Sequence, residues 1–193
     1  MAQAKSSSFD SRGFSLAEVM IAMGILVSVA LGVAQLFAVS GRANFVARGQ
    51  TSTTAFAEQK MEQLRSLTWG FDTAGQGLPL TDTSSNIAVS PPAQNGTGLN
   101  PSPAGALEEN TAGFVDYLDD QGAWVGTGTT APGNAQFIRR WSITPLPTNP
   151  NNTIVIQVLV TTVAIEARRS SEVARTRVPG DALLITVKTR KAS

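Results

Sequence analysis

Apolar residues are spread unevenly along the chain, and three textures follow one another. From Val19 to Gly41 there are 23 residues without a charge, bounded by Glu18 and Arg42. As a helix rising about 1.5 Å per residue, this run reaches about 35 Å, enough to cross roughly 30 Å of hydrocarbon. The apolar region of a cleaved secretory signal is shorter, about 7–15 residues. No small-x-small site followed by a turn closes the far end, so the pattern predicts a retained membrane helix. Beyond it, Val39, Ala43, Val46, Thr53, Ala57, Met61, Leu64 and Leu67 recur at helical spacings and mark one face. Arg42, Arg48, Glu58, Glu62 and Arg65 fall largely elsewhere, and Glu62 with Arg65 is a favourable pair three residues apart. No proline lies between Phe14 and Leu78. One helix is predicted from Phe14 to Leu67, with its second half carrying a core-facing stripe.

The second texture runs from 68 to 113 and is rich in Gly, Pro, Ser, Thr and Asn, as in GQGLPLTDTSSN and SPPAQNGTGLNPSPAG. No helical or strand period survives there, so a flexible connecting loop is predicted. The third texture is strand-like. Phe137–Leu146, Thr153–Glu166 and Ala182–Thr189 are rich in Val, Ile and Thr, with prolines and asparagines between the first two. A weaker strand is expected near Phe114–Leu118 or Trp124–Val125. Three or four antiparallel strands over the helix stripe would bury both faces in one core. The fold class predicted is α+β: a long N-terminal helix packed on a small C-terminal antiparallel sheet spanning 114–193.

Composition narrows the chemistry. The formal net charge is +1, which offers no polyelectrolyte footprint for nucleic acid. There is neither cysteine nor histidine, so disulfides, thiol nucleophiles and the commonest base and zinc ligand are excluded. Asp116, Asp119 and Asp120 before Gly122 could offer oxygens to calcium, but their spacing matches no calcium loop, and a polar turn is the default reading. Glu108 to Asp120 is acidic, whereas Arg168, Arg169, Arg175, Arg177, Lys188, Arg190 and Lys191 make the C-terminal region basic. Complementary contacts within or between subunits are expected from that pair of patches. No cofactor, metal or catalytic site is predicted, and the chain is not expected to be an enzyme.

Glu18 stands four residues into an otherwise apolar stretch, where a carboxylate entering a bilayer costs several kcal/mol on most scales. Taken alone it could simply mark the interface. Its setting is more informative: Arg12, Gly13, Phe14, Ser15, Leu16, Ala17, Glu18 and then continuous apolar sequence. The stretch RGFSLAEVMIAMGIL, Arg12 to Leu26, resembles the N-terminal signature of the type IV pilin-like family. That signature is a short basic leader ending in glycine, an aromatic residue, a few small or apolar residues, a glutamate and a long apolar helix. AEQKMEQLRSL, Ala57 to Leu67, and the RRWSITPLP strand are similar to PilV-like minor pilins.

The resemblance implies a cytoplasmic leader, residues 1–13, removed by a prepilin peptidase between Gly13 and Phe14. It implies N-methylation of the new Phe14 amine, and a filament-core half of the helix at 14–41 followed by an amphipathic half at 42–67. It further implies that Glu18 neutralises the Phe14 ammonium and sets subunit registration. Other pilins or pseudopilins, the peptidase/methyltransferase and the inner membrane are the partners so implied, with a periplasmic head before assembly. The region Val33-Ala34-Gln35 lacks the proline that many major pilins carry, so no proline kink is transferred. Gly24, Gly32 and Gly41 read equally as a packing face and as ordinary membrane-helix glycines. A minor pilin of a type IV pilus is the leading expectation, and a minor pseudopilin of a type II secretion system the alternative. A membrane-anchored periplasmic enzyme or binding module is the third.

Overall fold

A computed structural model describes residues 13–72, 77–169 and 178–190. The chain divides into two units, residues 1–45 and 46–193, and each is taken by itself. The leader up to Arg12 lies outside the described residues, as do Arg175, Arg177 and Lys191 of the basic C-terminal region.

Helix α1 spans Leu16–Ser66. Its first unit carries the apolar run: Leu16, Met20, Ile25, Leu31, Leu36 and Phe37 are all exposed. An 18-residue window there has mean hydropathy 2.3 with none of it buried inside the protein. Ser28 Oγ donates to the Gly24 carbonyl at 2.8 Å, so that hydroxyl needs no water.

In the second unit, the predicted stripe is buried from Thr53 onward: Thr53, Ala57, Met61, Leu64 and Leu67 are in the core, whereas Val39 and Val46 are exposed. The stripe lies on a five-stranded antiparallel sheet ordered β4-β3-β5-β6-β7, with β3 Val115–Leu118, β4 Trp124–Thr127, β5 Phe137–Pro145, β6 Thr153–Thr162 and β7 Ala182–Thr189. The long central pairing sets Phe137 opposite Thr162 and Pro145 opposite Ile154, so side chains alternate cleanly between two faces. Phe137, Trp141 and Ile143 of β5 join Ile154, Ile156, Val158 and Val160 of β6 in the cluster that contains the helix residues. Val115, Tyr117 and Ile138 form a second cluster with Ala135, packed by Ala131 and Val163. Strand β5 is therefore covered on both faces, and seven successive residues are buried.

Four expectations need correction. The segment 68–113 was expected as a loop without strands, yet it holds a two-stranded antiparallel ribbon, β1 Trp69–Phe71 and β2 Pro79–Thr81. It also places Trp69, Ala88, Leu99 and Ala106 in the core, which a free connector would not do. The sheet has five strands, because both weak candidates, β3 and β4, form and pair with each other. The strand expected to reach Glu166 stops at Thr162, whose hydroxyl caps a five-residue helix, α2 Val163–Ala167. The helix itself is two residues shorter at its start than expected, because Ser15 is its cap.

Candidate functional site

Two groups of residues stand out, one at the N-terminal junction and one inside the head. At the junction, Gly13, Phe14 and Ser15 are exposed and non-helical, and α1 begins at Leu16. Ser15 terminates the helix: its Oγ and its carbonyl both accept from Glu18 N, at 3.2 and 3.1 Å, and Val19 N donates to the same carbonyl. Ser15 and Glu18 thus stand at the S-x-x-E spacing that marks a helix start, a signal present in the sequence and not used above. The Gly13–Phe14 bond lies just outside the helix, in the exposed backbone that proteases need. Glycine adds no side chain, and a Cβ built there meets nothing within 4 Å. Phe14 is 83% exposed.

Glu18 lies in the first turn of α1 and is exposed. Among the described residues nothing donates to its carboxylate. Its backbone is satisfied within the helix start, and its carboxylate has no ion-pair partner among the described residues. The first turn of a helix also favours a negative charge there. Gly13, Phe14 and Glu18 thus share one short stretch, with exposed backbone, exposed aromatic ring and exposed acid in that order.

Inside the head, Lys60, Asp116 and Arg139 form a buried ion network. Lys60 sits three residues after Ala57 and four before Leu64, in the middle of the core stripe, and is fully buried. Its Nζ lies 2.7 Å from Asp116 Oδ2 and donates to the Ile87 carbonyl at 2.7 Å. It also lies 4.5 Å from the centroid of the Trp141 ring. Arg139 grips the same carboxylate with both arms, Nε to Oδ1 at 2.7 Å and Nη2 to Oδ2 at 2.8 Å, and donates Nη1 to Gln59 Oε1. Two cations face one anion, so desolvation outweighs attraction and pushes the Lys60 ammonium down from 10.5 to about 8. The network joins α1 to β3 and β5 beside a cavity of about 80 Å³ that Gln59, Gln63 and Trp124 also line. Asp116 is therefore not grouped with Asp119 and Asp120 as an oxygen ligand set. Asp119 instead accepts from Gln121 N and Ala123 N in a turn, the default reading above.

The ion pairs formed on this side of the head do not join the acidic stretch Glu108–Asp120 to the C-terminal basic residues. Arg140 Nη2 donates to Glu166 Oε1 at 2.8 Å, and Arg169 pairs with Glu166 and with Asp181. None of these buried pairs offers an open catalytic arrangement, and among the described residues no cluster of acids is placed to hold a metal.

Comparison with known proteins decides how the junction is read. Residues 9–34 match the family model described as the prokaryotic N-terminal methylation motif. The motif indicates a type IV pilin-like or pseudopilin-like protein. The match covers the junction, Glu18 and about two thirds of the apolar run, and does not extend into the head. No curated protein and no solved structure matches the chain. The pilin-like reading thus rests on the N-terminal motif, on the long helix and on the way its second half packs on an antiparallel sheet. The motif implies processing by a prepilin peptidase and assembly with other pilins, and the apolar helix is consistent with membrane anchoring.

Proposed function

We propose that the chain is a prepilin cut between Gly13 and Phe14, and that its mature form is a minor pilin, a structural subunit that takes part in assembling or priming a type IV pilus. The observation that carries the reading is the order at the junction: an exposed Gly–Phe bond outside the helix, a Ser15 cap, and a Glu18 with no partner among the described residues, at the head of a charge-free run. Cutting there would leave the Phe14 amine one turn from Glu18. Methylation of that amine keeps its positive charge while adding apolar surface.

In a filament core, an unpaired carboxylate would be costly, so a Glu18 that meets a Phe14 ammonium sets one axial register for the incoming subunit. The helix from 14 to 41 would anchor the precursor in the inner membrane, with the leader cytoplasmic and the head periplasmic. A type II secretion pseudopilin has the same junction and uses the same chemistry. PilV-like character is supported by the resemblance of Ala57–Leu67 and of the β5 sequence. The separating experiment is deletion of the gene, scored for surface fibres and for secreted enzymes. Loss of fibres with secretion intact supports the minor pilin, and the opposite pattern supports the pseudopilin.

A further inference from the structure

In the second unit, outside α1, the large apolar side chains exposed among the described residues are Phe71, Leu78, Leu80, Ile185 and Val187, and Phe71 is the aromatic ring in that set. Phe71 is held in an unusual way for an exposed ring. The Arg190 guanidinium stacks 4.0 Å from its centroid, and Arg190 is itself 9% exposed and donates to the Gly77 carbonyl at 3.0 Å. With one side of the ring backed by a guanidinium, the ring is a fixed platform. Phe71 also lines an open-sided groove of about 470 Å³, together with Leu80, Asp82, Thr83, Ser84 and Asn95. That volume lies within the roughly 300–1,000 Å³ of small-molecule sites.

The loop segments that carry these lining residues are held by tightly apposed backbone next to the groove. A Cβ on Gly96 would fall 2.0 Å from the Ser85 carbonyl, and one on Gly98 would fall 2.6 Å from the Asp82 carbonyl. Gly96 N donates to Thr83 O at 2.9 Å and Asp82 N to Thr68 O at 3.2 Å, so the two sides are tied. Asp82 Oδ1 accepts from the Ser84 amide at 2.8 Å and from its hydroxyl at 2.6 Å, which orients the carboxylate. Its second oxygen has no partner among the described residues. The polar lining therefore offers hydroxyl, carboxamide and carboxylate groups, with no Lys or Arg among the residues that form it.

We propose that this groove binds a neutral sugar, with one apolar ring face stacked on Phe71 and the ring hydroxyls exchanging hydrogen bonds with Asp82, Thr83 and Asn95. Sugar hydroxyls donate and accept together, which matches a carboxylate beside hydroxyl and amide groups. The C–H face of a pyranose matches an aromatic platform. A phosphate or other anion would meet the Asp82 carboxylate in the lining, while the nearby cation, Arg190, is not among the lining residues and is engaged with the Phe71 ring and the Gly77 carbonyl. The site goes beyond the assembly role and does not depend on it, since binding is read on the purified chain.

The test uses the full chain in lauryldimethylamine oxide micelles, a sugar-free detergent. Saturation-transfer NMR is run against glucose, galactose, mannose, N-acetylglucosamine and their β-linked disaccharides, each at about 10 mM, the range where weak binders register. Transfer to the ring protons of at least one neutral sugar is expected. Phe71→Ala should weaken it about tenfold or more, and Phe71→Trp should retain it. Asn95 has φ 63°, so Asn95→Gly removes the amide without straining the backbone, and should also weaken binding. The melting temperature of each variant shows that the head is folded. No transfer to any sugar overturns the proposal. So does transfer that folded Phe71→Ala and Asn95→Gly leave unchanged. Phe71→Ala losing subunit incorporation while sugar transfer is absent from the parent chain would assign the groove to a protein partner, and likewise overturns it.

Discussion

At the scale of single residues, the two carboxylates that matter are placed in opposite environments. Glu18 is exposed and has no partner among the described residues, whereas Asp116 is buried between two cations. Glu18→Ala should leave the Gly13–Phe14 cut intact, because the bond lies outside the helix, yet lower the share of subunits entering filaments. Immunoblots of sheared fibres against membranes check this, and normal incorporation would remove the registration role. Asp116→Ala should destabilise the head by about 3–5 kcal/mol, since it leaves Lys60 and Arg139 as uncompensated buried charges. Urea unfolding followed by tryptophan fluorescence measures it.

Lys60 gives a pH signature of definite sign. Its folded value, about 8, lies below its ordinary 10.5, so the unfolded chain binds more protons between those values. Stability contributed by Lys60 therefore rises as pH increases through that window, by an amount on the order of 3 kcal/mol at full titration. Burial raises the Tyr117 hydroxyl, which keeps it protonated in the fold and works the other way at the alkaline end, so the clean window runs from pH 8 to about 10. Chemical denaturation of the parent chain and of Lys60→Met across that range should show the parent gaining relative to the variant. Parallel profiles would contradict the assigned burial. The network was illegible beforehand for a plain reason. A lysine within a stripe of Ala, Met and Leu reads as a surface residue that happens to fall there, and its partner lies 56 positions away. Asp116 likewise read as part of a turn cluster, although strand alternation puts it on the same face as Phe114 and Leu118.

At the scale of elements, the contacts that close α1 come from distant chain. Lys188 of β7 donates Nζ to the carbonyls of Arg65 and Leu67, satisfying the exposed helix end with a positive charge. Burial and the nearby Arg65 charge together lower the Lys188 ammonium, with burial the larger cause. Lys188→Met should cost about 1–2 kcal/mol and raise hydrogen exchange in the last turn of α1. Protection unchanged there would show that the cap is dispensable. The β3–β4 turn is fixed as tightly: Gly122 has φ +82°, and a Cβ on it would fall 2.4 Å from Phe56 Cε1. Phe56 in turn packs edge-on to Phe137, with centroids 5.0 Å apart. Gly122→Ala should lower stability by about 1–3 kcal/mol through strain and displacement of that ring, as a thermal melt would report.

Long elements were readable because their periods are long. The apolar run, the stripe from Thr53 to Leu67 and the alternation of Ala182–Thr189 each repeat often enough to stand out. Strands β1 and β2 have three residues each and lie among Gly, Thr and Pro, so no period could show them. What makes them strands is tertiary: Arg190 sits on Trp69 and Phe71 and bonds to Gly77. The Ser15 cap was legible in the S-x-x-E spacing, while the stop at Thr162 depends on a hydroxyl that could equally have continued the strand.

For the whole molecule, the sequence and the structure divide the work between the two units. The first unit holds the motif at residues 9–34, on which the proposed processing and anchoring rest. The second is a head that buries Lys60, Asp116, Arg139, Arg140 and Arg190 and leaves its other described charges partly or fully exposed. The central claim, cleavage after Gly13, is tested most directly by mass spectrometry of the native N-terminal peptide from sheared surface fibres and from inner membranes. The account predicts a peptide that begins at N-methylated Phe14 in both fractions. A chain that retains Met1 or Ala2 at its N-terminus would contradict it.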